Sequence, residues 1–181
     1  MMTFHDVLGF WFSSATRPKW FEQSDAFDAE VRRLLMPVHE QAAAGRLPEW
    51  RETPEGCLAL VILLDQVPRN VFRGTPRAFA NDPAARDLTR LAIERGYDSG
   101  FDMHQRLFLY LPLEHSEDLA DQRLSVELTR SRIGDPEYLD YAERHLRIIQ
   151  RFGRFPHRNR ILGRASTEEE TEFLKQPGSS F

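Results

Sequence analysis

The 181-residue chain is 41% apolar and 29% charged, a balance that fits a folded globular protein and excludes wholesale disorder. A net charge of −4 and a sequence pI near 5.9 argue against a general nucleic-acid coat protein, and one cysteine, Cys57, excludes an intramolecular disulfide. The longest apolar run, eight residues from Cys57 to Leu64, is far too short for a membrane span. The N-terminus MMTFHDVLGFWF shows neither the basic region nor the cleavage site of an export signal, so a cytoplasmic protein is expected.

Thr3 precedes Phe4, Val7, Leu8 and Trp11, an apolar set at helical spacing. Ser24 is placed to cap a helix striped by Phe27, Val31, Leu34, Leu35 and Val38; Gly45 would end it and Pro37 would kink or divide it. Thr53-Pro54-Glu55 supplies a cap, a first-turn proline and an acid near the positive end of the dipole. The run CLALVILL behind it has the periodicity of either a buried strand or a buried helix, and its flanks favour a central helix. Asn81-Asp82-Pro83 starts the next helix, with Leu88, Leu91 and Ala92 inward and Gly96 as its stop.

Asp102 to Leu111 reads as a helix closed by Pro112, and Ser116-Glu117-Asp118 opens one that runs to about Arg132. Asp135-Pro136-Glu137 repeats the cap-plus-proline signature before a stripe of Leu139, Ala142, Leu146 and Ile149, with Gly153 as the end. Ser166 and Glu169 form a capping box for a short last helix holding Phe173 and Leu174. No alternating strand pattern or hairpin turn intervenes. The expected fold is all-α: about eight helices in antiparallel hairpins, forming a single domain over residues 1–175 with a mobile tail at 176–181.

Four segments carry polar groups where the pattern predicts burial or tight turning. In one of them, Gly163 to Leu174, a helix N-terminus could present backbone N–H groups to an anion, but the run Glu168-Glu169-Glu170 opposes this and favours capping. In LLDQVPRN, Asp65 and Arg69 are four apart and can pair, as can Gln66 and Asn70; the quartet is either part of a site or a knot at a helix end. In PLEHSED, capping accounts for Ser116, Glu117 and Asp118 but not for Glu114-His115. A carboxylate beside an imidazole is a general acid/base pair, or a hydrogen-bonded histidine that ties a loop down. Cys57, within its apolar run, reads as a buried and inert thiol.

The third segment, Arg144 to Arg164, holds seven arginines and no acid, so the remaining residues carry −11. Its arginines need internal carboxylates, an anionic ligand, or both. Arg144, Arg147 and Arg151 fall on a common helix side. Arg151, Arg154, His157, Arg158 and Asn159 are placed to grip an anion, with Asp65, Arg69, Asn70 and His115 completing the wall. Glu114, His115, Glu117, His145 and His157 could converge on a metal, but the chain has no HExxH or paired-cysteine motif, and no metal is expected. Walker, GxGxxG and GxSxG motifs are likewise absent, so no cofactor is expected.

The segments LALVILLDQVPRNVFRGTPRAFAND, FLYLPLEHSEDLADQ, RFGRFPHRN and LGRASTEEETEFL, in that order, resemble the bacterial family catalogued as domain of unknown function 924. The likeness runs from GFWF near the N-terminus to FL near the C-terminus. It implies an all-α fold of the tetratricopeptide-like superfamily, although the tetratricopeptide consensus itself is absent. It implies no activity and carries over no catalytic residue.

The leading expectation is a helical binding domain whose arginine-rich polar pocket takes an anionic small molecule or an acidic peptide end. One alternative is an enzyme with Glu114 and His115 as general acid and base, the arginines orienting an anionic substrate; another is a protein-interaction scaffold. Nucleic acid ranks last among the partners.

Overall fold

The structure, a computed structural model, describes residues 2–180. Among the described residues there are α-helices, short 3-10 turns and two π-helical turns, and no strand. The chain divides into two compact units, one built from residues 2–73 and 77–112 and the other from 74–76 and 113–180.

In the first unit, Thr3 and Asp6 form a reciprocal capping box at the head of α1 (Phe4–Trp11). Ser24 caps α2 (Asp25–Ala43) by accepting from the Phe27 N–H, and Thr53 caps α3 (Pro54–Val61) by accepting from the Gly56 N–H. A π turn at Ile62–Gln66 joins α3 to α4 (Val67–Val71), so the apolar run is a buried central helix rather than a strand. Around it, α3 packs on α1 and α5 (Asp82–Glu94), while α4 packs on α2.

Phenylalanine and tryptophan rings fill this core. Phe108, on α6 (Met103–Glu114), meets Trp11 edge-on at 5.5 Å and Trp20 at 4.7 Å. The Trp20 indole N–H donates to the Trp11 carbonyl at 2.9 Å, so the polar end of that ring is satisfied on burial.

Pro37 does not divide its helix, and Pro112 does not close its own. Pro37 lies inside an unbroken α2, and α6 continues through Pro112 to Glu114. A helical proline removes an N–H and crowds the preceding turn, so carbonyls there need other donors. Near Pro112, the Thr89 hydroxyl of α5 donates to the Leu109 carbonyl at 2.8 Å and ties α5 to α6.

In the second unit, α7 (Leu119–Leu128) ends in a π turn at Thr129–Ile133 and packs on α8 (Pro136–Phe152). The cap of α7 is Asp118, not Ser116: the Asp118 carboxylate accepts from the Ala120 and Asp121 N–H groups, while the Ser116 hydroxyl accepts the Asp118 N–H and donates to the Asp121 carboxylate at 2.7 Å. Gly153, at φ 68°, ends α8 in the left-handed conformation that glycine adopts without a Cβ clash. The last helix, α9 (Glu168–Phe173), is boxed by Thr167 and Glu170, one residue beyond the expected Ser166 and Glu169. Ile148, Ile149 and Phe155 form the apolar centre of this unit, with Leu119, Phe152 and Phe173 packed against it. Beyond α9, Ser179 is buried and its hydroxyl donates to the Leu174 carbonyl at 3.2 Å. No helix among the described residues is long and apolar enough to cross a membrane.

Candidate functional site

The arginine block and PLEHSED meet within the second unit. Arg164 grips Glu117 through two hydrogen bonds, and the same carboxylate accepts the Phe155 backbone N–H at 2.7 Å. Burial raises the pKa of Glu117, but the Arg164 guanidinium and the Phe155 N–H outweigh it and hold the group below the usual carboxylate range. Arg164 also reaches the Asn159 side-chain oxygen at 3.0 Å and the Phe155 carbonyl at 3.2 Å.

A parallel arrangement links α9 to the loop after α8. Arg154 donates to both oxygens of Glu170, at 2.6 and 2.8 Å, and to the Ala165 carbonyl. Asn159 and the Thr167 N–H donate to the same carboxylate, at 3.3 and 2.8 Å. The Arg154 hydrogen bond is the largest influence on Glu170 and brings its pKa down to about 2. The one-residue shift of the α9 box has its reason here: only the Thr167/Glu170 register gives Arg154 and Asn159 a buried carboxylate.

Histidines line the remaining side of this network. His145, on α8, places Nδ1 2.9 Å from the Tyr141 carbonyl and 3.3 Å from Glu114 Oε1. Burial pushes its pKa down to about 3, so the ring is neutral and carries its proton on the nitrogen that faces these two oxygens. His115 lies beside it, ring to ring at 6.5 Å. His157 is brought down to about 4 by burial, with Arg158 adding to the effect. The buried Arg158 guanidinium lies over the Phe155 ring at 4.5 Å.

The rest of the block faces outward. Arg144 pairs with Asp140 at 2.5 Å and Arg151 with Glu169 at 2.8 Å. Arg147 stands 3.9 Å from its nearest carboxylates on Asp140 and Glu143, beyond hydrogen-bonding distance. Arg160 is exposed and makes no ion pair with the described residues. The second unit holds thirteen acidic and eleven basic side chains, so the block is neutralised inside its own unit.

Arg144, Arg147 and Arg151 line an open groove of about 190 Å³ with Ile148, Phe152, Phe173 and Gly178. The Phe152 and Phe173 rings lie 5.0 Å apart, and the Arg151 guanidinium sits over both, at 4.7 and 5.8 Å. The groove is thus an apolar floor rimmed by three guanidiniums. The sequence placed these arginines on one side but gave no sign of Phe173 and Gly178 opposite them.

The expected wall residues Asp65, Arg69 and Asn70 belong to the first unit, where Asp65 and Arg69 form a cluster with Asp82. Arg69 bridges Asp65 at 3.1 Å and Asp82 through two bonds of 2.9 and 3.0 Å, and lies over the Phe79 ring. Burial opposes the charge on Arg69, but Asp65 and Asp82 together raise its pKa. Gln66 donates to Asp65 rather than pairing with Asn70, which is half-buried. Asp82 went unread as a partner because its place in the helix-opening Asn81-Asp82-Pro83 already explained it. Cys57 is buried, and burial pushes its thiol up to about 11, as an inert cysteine requires.

Comparison with curated proteins gives no match. Among solved structures, the chain is similar to a protein of unknown function from Agrobacterium tumefaciens, with 43% identity and a TM-score of 0.91, covering 95% of this chain and 96% of that one. Residues 7–178 match the family described as bacterial protein of unknown function, DUF924. That match, spanning nearly all of both units, makes the chain a member of the DUF924 family.

Proposed function

We propose that this protein is a helical binding domain for an anionic ligand, and that the ligand is received in the groove between α8 and α9. The observation that carries this reading is the convergence of Arg144, Arg147 and Arg151 over Ile148, Phe152 and Phe173. Within the same block, Arg154 and Arg164 are occupied by Glu170 and Glu117, so they serve as framework. The outward guanidiniums remain about half exposed. Arg147, 3.9 Å from its nearest carboxylates, can take a ligand oxygen at little cost, while the solvent-exposed pairs of Arg144 with Asp140 and Arg151 with Glu169 are weak enough to share theirs. A thermal-shift titration with phosphate, nucleotides and carboxylic acids should show saturable stabilisation that Arg147→Ala abolishes. Flat midpoints across that panel would contradict the reading.

A second reading, an enzyme with Glu114 and His115 as general acid and base, is favoured by their shared place at His145, which lies 3.3 Å from Glu114 and ring to ring with His115 at 6.5 Å. On that reading His115→Gln would abolish a turnover while leaving anion-induced stabilisation intact.

A further inference from the structure

Resting on the proposed anion site, we infer that the α8–α9 groove docks an acidic peptide segment that carries apolar side chains, and that Arg147 is its main charge contact. Small-molecule pockets are concave, span roughly 300–1,000 Å³ and enclose most of the ligand. This groove is smaller, at about 190 Å³, and open along its length. It suits part of a larger chain that is gripped on one side, not a compound that must be surrounded.

The rim has peptide dimensions. Arg144 and Arg151 are seven residues apart on α8, or about 10 Å at 1.5 Å per residue, the reach of roughly three extended residues. Charge and surface complementarity then define the segment. Carboxylates match the guanidinium rim, and an aromatic or aliphatic side chain matches the floor of Ile148, Phe152 and Phe173.

The three arginines are not equivalent. Arg151 is fixed over two rings and bonded to Glu169, so it holds a set position before any partner arrives. Arg144 is engaged by Asp140 and lies over the Tyr141 ring at 5.4 Å. Arg147 has only its 3.9 Å neighbours, Asp140 and Glu143, and has the least to give up on taking a new carboxylate. Exposed Tyr141 extends the apolar surface beside the rim.

The test is fluorescence anisotropy of the full chain with a labelled peptide of alternating glutamate and phenylalanine. Serine-for-phenylalanine and lysine-for-glutamate versions of the peptide serve as comparisons. Saturable binding of the first peptide is expected, weakened about tenfold or more by Arg147→Glu. Arg160→Glu, the same charge change on an exposed arginine outside the groove, should leave binding unchanged. Equal loss with Arg160→Glu, or equal binding of the serine peptide, would overturn the inference, since either would show attraction without the groove. Stabilisation by small anions with no peptide binding would overturn this inference and leave the anion site standing. No response to either kind of probe would remove both.

Discussion

Arg164 closes on Glu117 through two hydrogen bonds, of 2.6 and 2.9 Å, across 47 positions of sequence. With about a quarter of each side chain exposed, the pair is largely shielded from water, and Glu117 also receives the Phe155 N–H. It pins the turn before α7 to the loop after α8. Hydrogen bonds to charged groups contribute roughly 1.5–3 kcal/mol, and leaving one member unpaired costs a comparable amount. Arg164→Ala and Glu117→Gln should each lower the unfolding free energy by about 1–3 kcal/mol, and the double variant should lose less than the sum. Additive losses in a denaturant double-mutant cycle would show that the two side chains do not support each other.

Much of this architecture is legible in local chemistry. Ser24, Thr53 and Asp135 cap the helices they were read to cap, since a short polar side chain before an apolar stripe has few other uses. What escaped the sequence was decided by contacts distant along the chain. Ser166/Glu169 and Thr167/Glu170 are equivalent boxes locally, and Arg154 with Asn159 selects the second. Pro112 looked like a stop because its effect on the helix is local, whereas the Thr89 hydroxyl that holds Leu109 of the same helix lies 20 residues away. The site divided in the same way: the helical spacing of Arg144, Arg147 and Arg151 was readable, and their α9 counterpart Phe173 was not.

Acid should destabilise the second unit in two stages. His145 and His157 have folded pKa values of about 3 and 4, below the ordinary 6.5, so the unfolded chain binds more protons once the pH falls below that value. Their contribution is present above pH 6.5 and is lost as pH falls toward 4 and 3. Glu170, at about 2 against an ordinary 4.5, adds a loss of the same sign between those values. Each extra proton bound on unfolding steepens the dependence by about 1.4 kcal/mol per pH unit. Urea midpoints should therefore drop between pH 7 and pH 5, and His145→Asn should flatten the drop. A wild-type midpoint constant over that interval would rule out buried neutral histidines.

Two glycines predict opposite signs for one substitution. A Cβ at Gly56 would lie 2.3 Å from the Trp50 carbonyl oxygen and 2.8 Å from the Thr53 hydroxyl, and a backbone atom cannot step aside. Gly56→Ala should cost about 1–3 kcal/mol despite alanine's better helix propensity. At Gly9, within α1, a Cβ meets nothing within 4 Å, so Gly9→Ala should stabilise by up to about 1 kcal/mol. Thermal midpoints moving in the same direction for both variants would contradict the packing around Thr53.

An anion received by the outward arginines of α8, and not by the block as a whole, would leave its mark on individual guanidiniums. Side-chain Nε–Hε resonances of the arginines, followed by NMR while phosphate and a carboxylate are titrated in, report on each guanidinium separately. Saturable shifts are expected at Arg147 and Arg151, with Arg154 and Arg164 held unchanged by Glu170 and Glu117 and Arg160 following only the bulk ionic strength. Equal, unsaturable drift at all of these arginines would contradict an anion site on α8.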